Sequence, residues 1–206
     1  MSSRERILAS VRANLPNGDF SLPEIPTFRR HESGDLMAKF EAALSIMGGQ
    51  VIAQNAAADP LEEVRAILAG AKLVCSTTPE ISGNFDLSQT RHPRDLAAID
   101  YAVVRACFGV AETGSVLFTN RELQTNALAY LAQHLIVLLD PSTILENMHV
   151  AYQRPELHEA DYAVFHSGPS ATADIEGVLI RGAQGVRSLQ VAYVPRSPTN
   201  RESAAN

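Results

Sequence analysis

The sequence predicts a single α/β domain built on a mainly parallel sheet with helices on both faces, preceded by a helical arm. Short apolar segments typical of strands alternate with helical segments about 10–14 residues long, which is the pattern of parallel sheets. The clearest strand, Leu135-Ile-Val-Leu-Leu, is apolar on both faces, as strands covered by helices are. The length of 206 residues fits one domain with a short appendage.

The elements follow in order from local signals. Helical spacing of apolar residues predicts the first helix, Gly48-Gly49 is typical of the end of the second, and Asp59 is expected to cap the third. The loop over 79–100 is rich in proline, glycine and polar residues. The predicted helices are 3–14, 34–47, 59–68, 141–153 and 173–183, and the predicted strands are 50–54, 72–76, 101–105, 115–119, 135–139, 162–166 and 190–194.

Three units are expected along the chain. Residues 1–30 form an N-terminal helix and a Pro-rich arm, because three prolines and a glycine interrupt the stretch after the first helix. Residues 31–195 form the α/β domain, and residues 196–206 form a flexible tail.

Composition excludes several classes of protein. Hydrophobic residues make up 46% and charged residues 19%, which excludes a disordered or a collagen-like chain. With 17 Lys+Arg and 23 Asp+Glu, the net charge of −6 makes nucleic acid and anionic lipid poor partners. No window approaches the ~20 apolar residues that span a bilayer, and the first residues lead into no secretory signal. We therefore expect a soluble, cytoplasmic protein that neither binds nucleic acid nor inserts into a membrane.

The cysteines and histidines predict neither a metal site nor a bound cofactor. Cys75 and Cys107 are too few and too far apart for a disulfide scaffold or a C-x-x-C motif, and each is expected to be a free thiol in an apolar space. The six histidines lack the spacing of a zinc site. The glycines form neither a dinucleotide-binding fingerprint nor a P-loop.

The first candidate site is Val110-Ala-Glu-Thr-Gly-Ser, where two predicted strands meet. Glutamate is depleted in strands and glycine weakens them, so Glu112 and Gly114 are unusual in an apolar strand. Glu112 among apolar neighbours suits a base, a nucleophile or an acceptor for a ligand hydroxyl, and Gly114 would let a ligand come close. Thr113 and Ser115 complete the candidate ligand-binding residues. The alternative is a β-bulge whose glutamate pairs with a basic side chain or caps a backbone N–H.

The second candidate site is His166-Ser-Gly-Pro-Ser-Ala-Thr-Ala-Asp-Ile-Glu-Gly, a strand end followed by a turn and a predicted helix entry. Ligands of parallel α/β sheets gather at such strand ends. Thr172 is expected to cap the helix, with two carboxylates in its first turn that would repel a phosphate. Hydroxyls, a ribose, a sugar or a partner's basic group are the expected ligands, and a well-capped helix without a ligand is the alternative. The candidate ligand-binding residues are Gly168, Pro169, Ser170, Thr172, Asp174 and Glu176.

Four segments, in this order, resemble the lactate-utilisation protein C family, also called the LUD domain. They are Ala111-Glu-Thr-Gly-Ser, His134-Leu-Ile-Val-Leu-Leu, Gly168-Pro-Ser-Ala-Thr-Ala-Asp-Ile-Glu and Gly182-Ala-Gln-Gly-Val-Arg, and the resemblance covers roughly residues 33–195. It implies a fold like that of ribose-5-phosphate isomerase, glucosamine-6-phosphate deaminase and the CoA transferases. It also implies a role in a three-component system that oxidises L-lactate to pyruvate, with the iron–sulfur clusters on partner subunits.

The chain departs from that family at two places. Ala171 stands where members often have a basic or polar residue, and Gln184-Gly185-Val186 stands where they often have His-Gly-Pro, so a proton transfer by that histidine is not expected in this chain. Glu112-Thr-Gly is similar to the Glu-Asn-Gly of CoA transferases, in which the glutamate becomes a thioester with CoA, although Thr113 replaces the asparagine.

The sequence thus leaves three hypotheses. The favoured one is a component of L-lactate utilisation without redox chemistry of its own, which binds a small ligand or the iron–sulfur partner subunits through the two candidate segments, with the arm over 15–30 docking on a partner. The second is a transferase or isomerase that acts on a CoA ester or a sugar phosphate through Glu112. The third is a diverged structural or regulatory domain, motivated by Ala171, Gln184 and Val186.

Overall fold

A computed structural model describes residues 2–16, 18, 21, 23, 26, 34–53, 59–174 and 176–196. Its α-helices are α1 (Ser3–Ala13), α2 (Leu36–Ile46), α3 (Glu62–Leu68), α4 (Asn120–Leu123), α5 (Leu128–Leu131), α6 (Met148–Ala151) and α7 (Pro155–Glu159). Short 3-10 helices cover Leu87–Gln89, Pro93–Ala98 and Pro141–Thr143. The strands are β1 (Gln50–Val51), β2 (Val74–Ser76), β3 (Tyr101–Arg105), β4 (Gly109–Val110), β5 (Ser115–Thr119), β6 (His134–Leu139), β7 (Ile144–Leu145), β8 (Ala163–His166), β9 (Ala171–Thr172), β10 (Ile180–Arg181) and β11 (Ser188–Tyr193).

Five parallel strands form the central sheet in the order β1-β11-β6-β3-β2. β6 lies in the middle and pairs with β11 and β3 on its two sides, with His134 opposite both Ser188 and Tyr101. All residues of β6 after His134 are buried, as its apolar sequence predicts. The predicted parallel sheet is confirmed.

Helices cover both faces of the central sheet. On one face, Val64 of α3 packs into a cluster with Ile136. On the other face, Phe40 and Leu44 of α2 pack into a cluster with Val137. Consecutive residues of β6 therefore supply opposite faces of the sheet, because side chains alternate along a strand.

A second, mixed sheet has the order β7-β4-β5-β8. β4 and β5 are antiparallel, with Val110 opposite Ser115, so residues 111–114 form the turn that the sequence predicts between two strands. β5 also pairs antiparallel with β8, with Val116 opposite His166. This register sets the end of β8 beside the start of β5, which brings the two candidate segments close together.

The helix predicted over 141–153 is wrong. Its first turn is a 3-10 helix, in which the Asp140 carboxylate accepts from the Ser142 N–H at 3.0 Å. Ile144–Leu145 then extends as β7 and pairs with β4. Asn147 caps a new helix, α6, by accepting from the Val150 N–H at 3.0 Å. Pairing with a distant strand splits the predicted helix, and that tertiary contact leaves no signal in the local sequence.

The helix predicted over 173–183 is also wrong, and its place is taken by a hairpin. β9 pairs antiparallel with β10, with Thr172 opposite Ile180. In the connection, Glu176 has φ 54° and Gly177 has φ 71°. Consecutive positive φ values are incompatible with a right-handed helix. Gly177 is therefore the local reason that this stretch reverses direction.

The two ends of the chain are described only in part. None of the residues of α1 is buried. The predicted Pro-rich arm lies largely, and the predicted tail beyond residue 196 entirely, outside the described residues. Arg196 itself is held in place: its N–H donates to Asp140 Oδ2 at 3.0 Å and its Nη2 to the Ala106 carbonyl at 3.0 Å. In the described part of the chain, no helix is both long and apolar enough to cross a bilayer.

Candidate functional site

Glu112 lies in the turn between β4 and β5, where the sequence predicts that two strands meet, but the expectation that apolar groups surround its side chain is wrong. Its side chain is exposed, because residues 111–114 leave the strand pairing. The Glu112 carboxylate accepts from the Met148 N–H at 3.0 Å, at the first turn of α6. This is the alternative in which the glutamate satisfies a neighbouring backbone N–H. The carboxylate is thereby accessible to solvent and fixed in direction.

Gly114 provides room for a helix rather than for a ligand. It has φ 62°, and a Cβ built on it would lie 2.5 Å from Leu44 Cα. The space expected beside Gly114 for a ligand is therefore filled by α2. The flanking hydroxyls bond to each other, with Thr113 Oγ1 and Ser115 Oγ 2.6 Å apart.

The turn after β8 contacts the same helix. Gly168 has φ 104°, and a Cβ built on it would lie 2.5 Å from the Met47 carbonyl oxygen and 3.1 Å from Gly49 N. Pro169 follows and leads the chain into β9. Both candidate turns therefore contact the C-terminal part of α2 through a glycine, Gly114 at Leu44 and Gly168 just beyond the end of the helix.

Beyond these glycines the two segments diverge. Glu112 bonds to α6. In the hairpin, Gly182 N donates to the Ser170 carbonyl at 2.7 Å, and Ser170 N donates to the Val186 carbonyl, in the connection between β10 and β11, at 2.8 Å. The two segments therefore pack on the same helix, but the Glu112 carboxylate is not part of the surface that Ser170 and Thr172 line.

The expected capping role of Thr172 is wrong, because no helix follows it. Its Oγ1 instead accepts from the Asp174 N–H at 3.2 Å, a turn local to the hairpin. The side chains of Asp174 and Glu176 are exposed on the same connection. The hairpin therefore offers hydroxyls and carboxylates, and no helix N-terminus that would attract an anion.

A cavity of about 410 Å³ lies beside this hairpin. Ser170 and Thr172, both predicted ligand-binding residues, line it together with Ile180, Ala183 and Gln184. The last three were not predicted as ligand contacts. In the sequence, Gln184 stands out only as a departure from the family pattern. Its place in a turn flanked by glycines is the signal that could have identified it as a ligand contact. Glu112 is not among the lining residues.

His166, the last residue of β8, is enclosed by aromatic rings. Its ring lies 5.6 Å from that of Phe118 and 5.1 Å from that of Tyr130. The Tyr130 hydroxyl is hydrogen-bonded to that of Tyr162. Burial lowers the pKa of His166 to about 4, and its Nε2 atom is buried without a hydrogen-bond partner among the described residues. At neutral pH this imidazole is therefore uncharged.

Sequence reasoning missed a polar cluster at the carboxyl edge of the central sheet. Arg105, the last residue of β3, forms an ion pair with Glu80 at 2.6 Å and donates to the Val194 carbonyl at 2.9 Å. Asp140, directly after β6, is 3% exposed and accepts from the Arg196 N–H. A charged residue at the end of a buried strand is the signal that could have revealed them. Because these groups bond mainly to one another and to the backbone, they hold this edge together.

Burial raises the pKa of Glu80, but its hydrogen bond with Thr78 and the nearby Arg105 guanidinium outweigh that effect. The net result is a pKa below the usual value of a glutamate. Glu80 is therefore ionised at neutral pH, which suits its ion pair with Arg105.

Other chemistry-bearing side chains have structural surroundings. His134 Nδ1 is 2.8 Å from Ser188 Oγ across the paired strands β6 and β11. Both cysteines are free thiols; Cys75 is buried, and burial raises its pKa to about 11. Arg181 lies near the end of the helix that the sequence predicts over 173–183. In the structure it donates instead to the Ile46 carbonyl at the end of α2. Among the described residues, no group of three or more His, Cys, Asp and Glu is arranged to hold a metal ion.

Comparison with known proteins relates the chain to one family. The LUD domain model matches residues 86–193, just over half of the chain, and this range contains both candidate turns. Lactate utilization protein C of Bacillus pumilus (strain SAFR-032) is 32% identical over 110 residues, which are 50% of this chain and 46% of that protein. The chain thus matches about half the length of that curated relative.

The fold has a counterpart among solved structures. The crystal structure of a DUF162 family protein from Deinococcus radiodurans, at 1.70 Å resolution, superimposes with a TM-score of 0.55 and 16% sequence identity. The superposition covers 76% of this chain and 94% of that one. At this identity the likeness concerns the fold, while the sequence match over residues 86–193 carries the relationship. The chain belongs to the LUD domain family.

Proposed function

We propose that the chain is a component of L-lactate utilisation that binds a small ligand or partner subunits through its two glycine turns and carries no redox group of its own. The observation that carries this proposal is the 32% identity to a lactate utilization protein C. The LUD match supports it because residues 86–193 include Glu112-Thr-Gly and the segment 168–176.

The partners in this proposal are iron–sulfur subunits. Iron–sulfur clusters are held by about four cysteine thiolates, and this chain has two cysteines in all. In this proposal, electron transfer through such clusters is the role of the partner subunits, and this chain binds them or holds a ligand for them.

The N-terminal helix α1 is the proposed contact for such a subunit. Ile7 is 64% and Val11 is 55% exposed, and the two lie on one side of the helix at a spacing of four residues. Leu15, which is 59% exposed, follows just beyond the end of the helix. α1 also carries three arginines against one glutamate, in a chain whose net charge is −6. An apolar stripe with basic flanks fits a partner surface that is apolar with an acidic rim.

A growth experiment tests the proposed function. The gene is deleted in the organism that encodes the chain, and growth on L-lactate is compared with growth on a carbon source metabolised without lactate oxidation. We expect a defect on L-lactate alone, restored by the wild-type gene and restored less by a Glu112→Gln variant. A Glu63→Gln variant, changed at an exposed position of α3, is the matched control and should restore growth fully. Growth of the deletion strain at the wild-type rate on L-lactate would refute the proposal.

A second candidate function is acyl transfer by Glu112, favoured by the exposed and anchored carboxylate. A carboxylate oxygen would attack the thioester carbonyl of an acyl-CoA, and the C–S bond would break to release the CoA thiolate. The thiolate would then attack the glutamyl carbonyl of the mixed anhydride and release the acyl group as a carboxylate, leaving a Glu112–CoA thioester. Intact-mass spectrometry after incubation with acetyl-CoA would show that adduct in the wild type and not in Glu112→Gln; an unmodified wild type rejects this candidate.

A further inference from the structure

We propose that the cavity beside the β9–β10 hairpin binds an uncharged, hydroxyl-rich ligand of about monosaccharide size. This inference rests on the proposed function only in taking the chain to bind a small ligand. The cavity volume, about 410 Å³, lies at the lower end of the range for small-molecule sites.

The side chains that line the cavity suit hydroxyl groups. Ser170 and Thr172 contribute hydroxyls, and Gln184 contributes a carboxamide. Each of these groups both donates and accepts hydrogen bonds, which matches a sugar hydroxyl. Thr172 Oγ1 already accepts from the Asp174 N–H, so its own O–H proton remains to be donated to a ligand. Ile180 and Ala183 add apolar surface against which the carbon face of a sugar can pack.

The charges around the cavity oppose an anionic ligand. Among the described residues that line it, none carries a charge. The nearest guanidinium along the chain, that of Arg181, is turned away to the Ile46 carbonyl at 2.9 Å and lies against Gly48. Asp174 and Glu176 lie on the same hairpin and would repel a phosphate. These observations separate the site from one for a sugar phosphate or a CoA diphosphate.

The walls of the cavity are held in position before a ligand binds. Ser170 is bonded through both its N–H, to Val186, and its carbonyl, from Gly182. Gly185 has φ 86°, and a Cβ built there would lie 3.6 Å from Ser170 Oγ and 3.2 Å from the Tyr130 carbonyl. The positive φ and the closeness of the Tyr130 carbonyl therefore favour glycine at this position, next to Gln184. A preformed wall reduces the entropy lost when a ligand binds.

Calorimetric titration of the full chain with matched ligand pairs tests the proposal. The pairs are D-ribose with ribose 5-phosphate, D-glucose with glucose 6-phosphate, and glycerol with glycerol 3-phosphate. We expect at least one neutral member to bind about tenfold or more tightly than its phosphorylated counterpart. Ser170→Ala and Gln184→Leu should each weaken that binding about five- to tenfold through one lost hydrogen bond. Ala183→Phe, which fills the cavity, should abolish it.

Control variants make the outcome specific. Ser10→Ala and Gln153→Leu make the same chemical changes at exposed positions outside the cavity and should bind as the wild type does. Tighter binding of the phosphorylated members, binding unaffected by Ala183→Phe, or no binding by any neutral member up to its solubility limit would overturn the proposal. Circular dichroism of each variant verifies that it is folded. Growth on L-lactate is not used as a readout, so failure here leaves the proposed function standing, and the reverse also holds.

Discussion

Gly114 lies directly against Leu44: a Cβ at position 114 would be 2.5 Å from Leu44 Cα, in the last part of α2. Gly168 contacts the chain just past the end of the same helix in the same way. The two turns that carry the family motif are therefore held by one support, and their glycines serve backbone packing. We therefore expect ligand contacts at these turns to come from the side chains beside the glycines and not from the glycines themselves.

Replacing Gly114 by alanine should destabilise the domain severely. The variant combines a strained φ of 62° with a clash against the α2 backbone, and we expect the free energy of unfolding to fall by about 3 kcal/mol. Chemical denaturation measures it. Gly177→Ala, which has φ 71° but open space around it, should cost about 1 kcal/mol, and Gly70→Ala, which has neither constraint, should be close to neutral. Equal effects at all three positions would contradict the packing role of Gly114.

Arg181 should stabilise the attachment of the β9–β10 hairpin to α2. Its Nη2 donates to the Ile46 carbonyl at 2.9 Å, where a cation also favours the C-terminal end of the helix dipole. We expect Arg181→Ala to lower the free energy of unfolding by about 1 kcal/mol. Arg91→Ala removes an exposed arginine elsewhere and should change stability by less than about 0.5 kcal/mol. A loss as small at Arg181 as at Arg91 would show that the contact does not hold the hairpin.

Stability should decline as the pH falls through the titration range of His166. Burial lowers the pKa of His166 to about 4 in the folded chain, whereas an unfolded histidine titrates near about 6.5. Between these two pKa values the unfolded chain binds a proton that the folded chain does not. The free energy of unfolding therefore decreases as the pH is lowered. By about pH 5 the contribution of His166 to this loss approaches 2 kcal/mol.

Melting temperatures of the wild type and His166→Gln between about pH 7.5 and pH 5 measure that contribution. The variant should lose less stability over this range than the wild type does. Burial also lowers the pKa of His134, so part of the decline should persist in the variant. The carboxylates with lowered pKa values, such as Glu80, matter mainly below this range. Parallel curves for the two proteins would mean that His166 is not buried as described.

Elements whose structure follows from their own residues could be predicted from the sequence, and elements that depend on pairing with a distant segment could not. β6 is apolar on both faces, so its burial between helices follows from the sequence, and the turn at residues 111–114 follows from Glu112 and Gly114 between two apolar runs. β7 could not be predicted, because its strand character comes from pairing with β4. The hairpin connection carried a local signal in Gly177, but the capping pattern of Thr172 and Asp174 outweighed it in the prediction.

The candidate site could likewise be predicted only in part. That Ser170 and Thr172 follow directly after a strand could be expected from the sequence, whereas the closeness of the two motif segments could not, because it depends on the pairing of β5 with β8. The direction of the Glu112 side chain could not, because it depends on an N–H of α6, a helix that starts only after β7. The same holds for Gln184, whose place in the cavity wall depends on the backbone bonds of Ser170 to Gly182 and Val186 on either side of it.

The rate of L-lactate-dependent reduction of an artificial electron acceptor, measured in extracts of the deletion strain, tests the proposed role most directly. The purified chain is added back either as the wild type or as the Ile7→Ser/Val11→Ser variant in α1. The comparison separates loss of the protein from loss of its proposed partner contact. We expect the extract to be deficient, the wild-type chain to restore the rate, and the α1 variant to restore less of it at equal concentration. An extract that oxidises lactate at the wild-type rate without the chain would contradict the account.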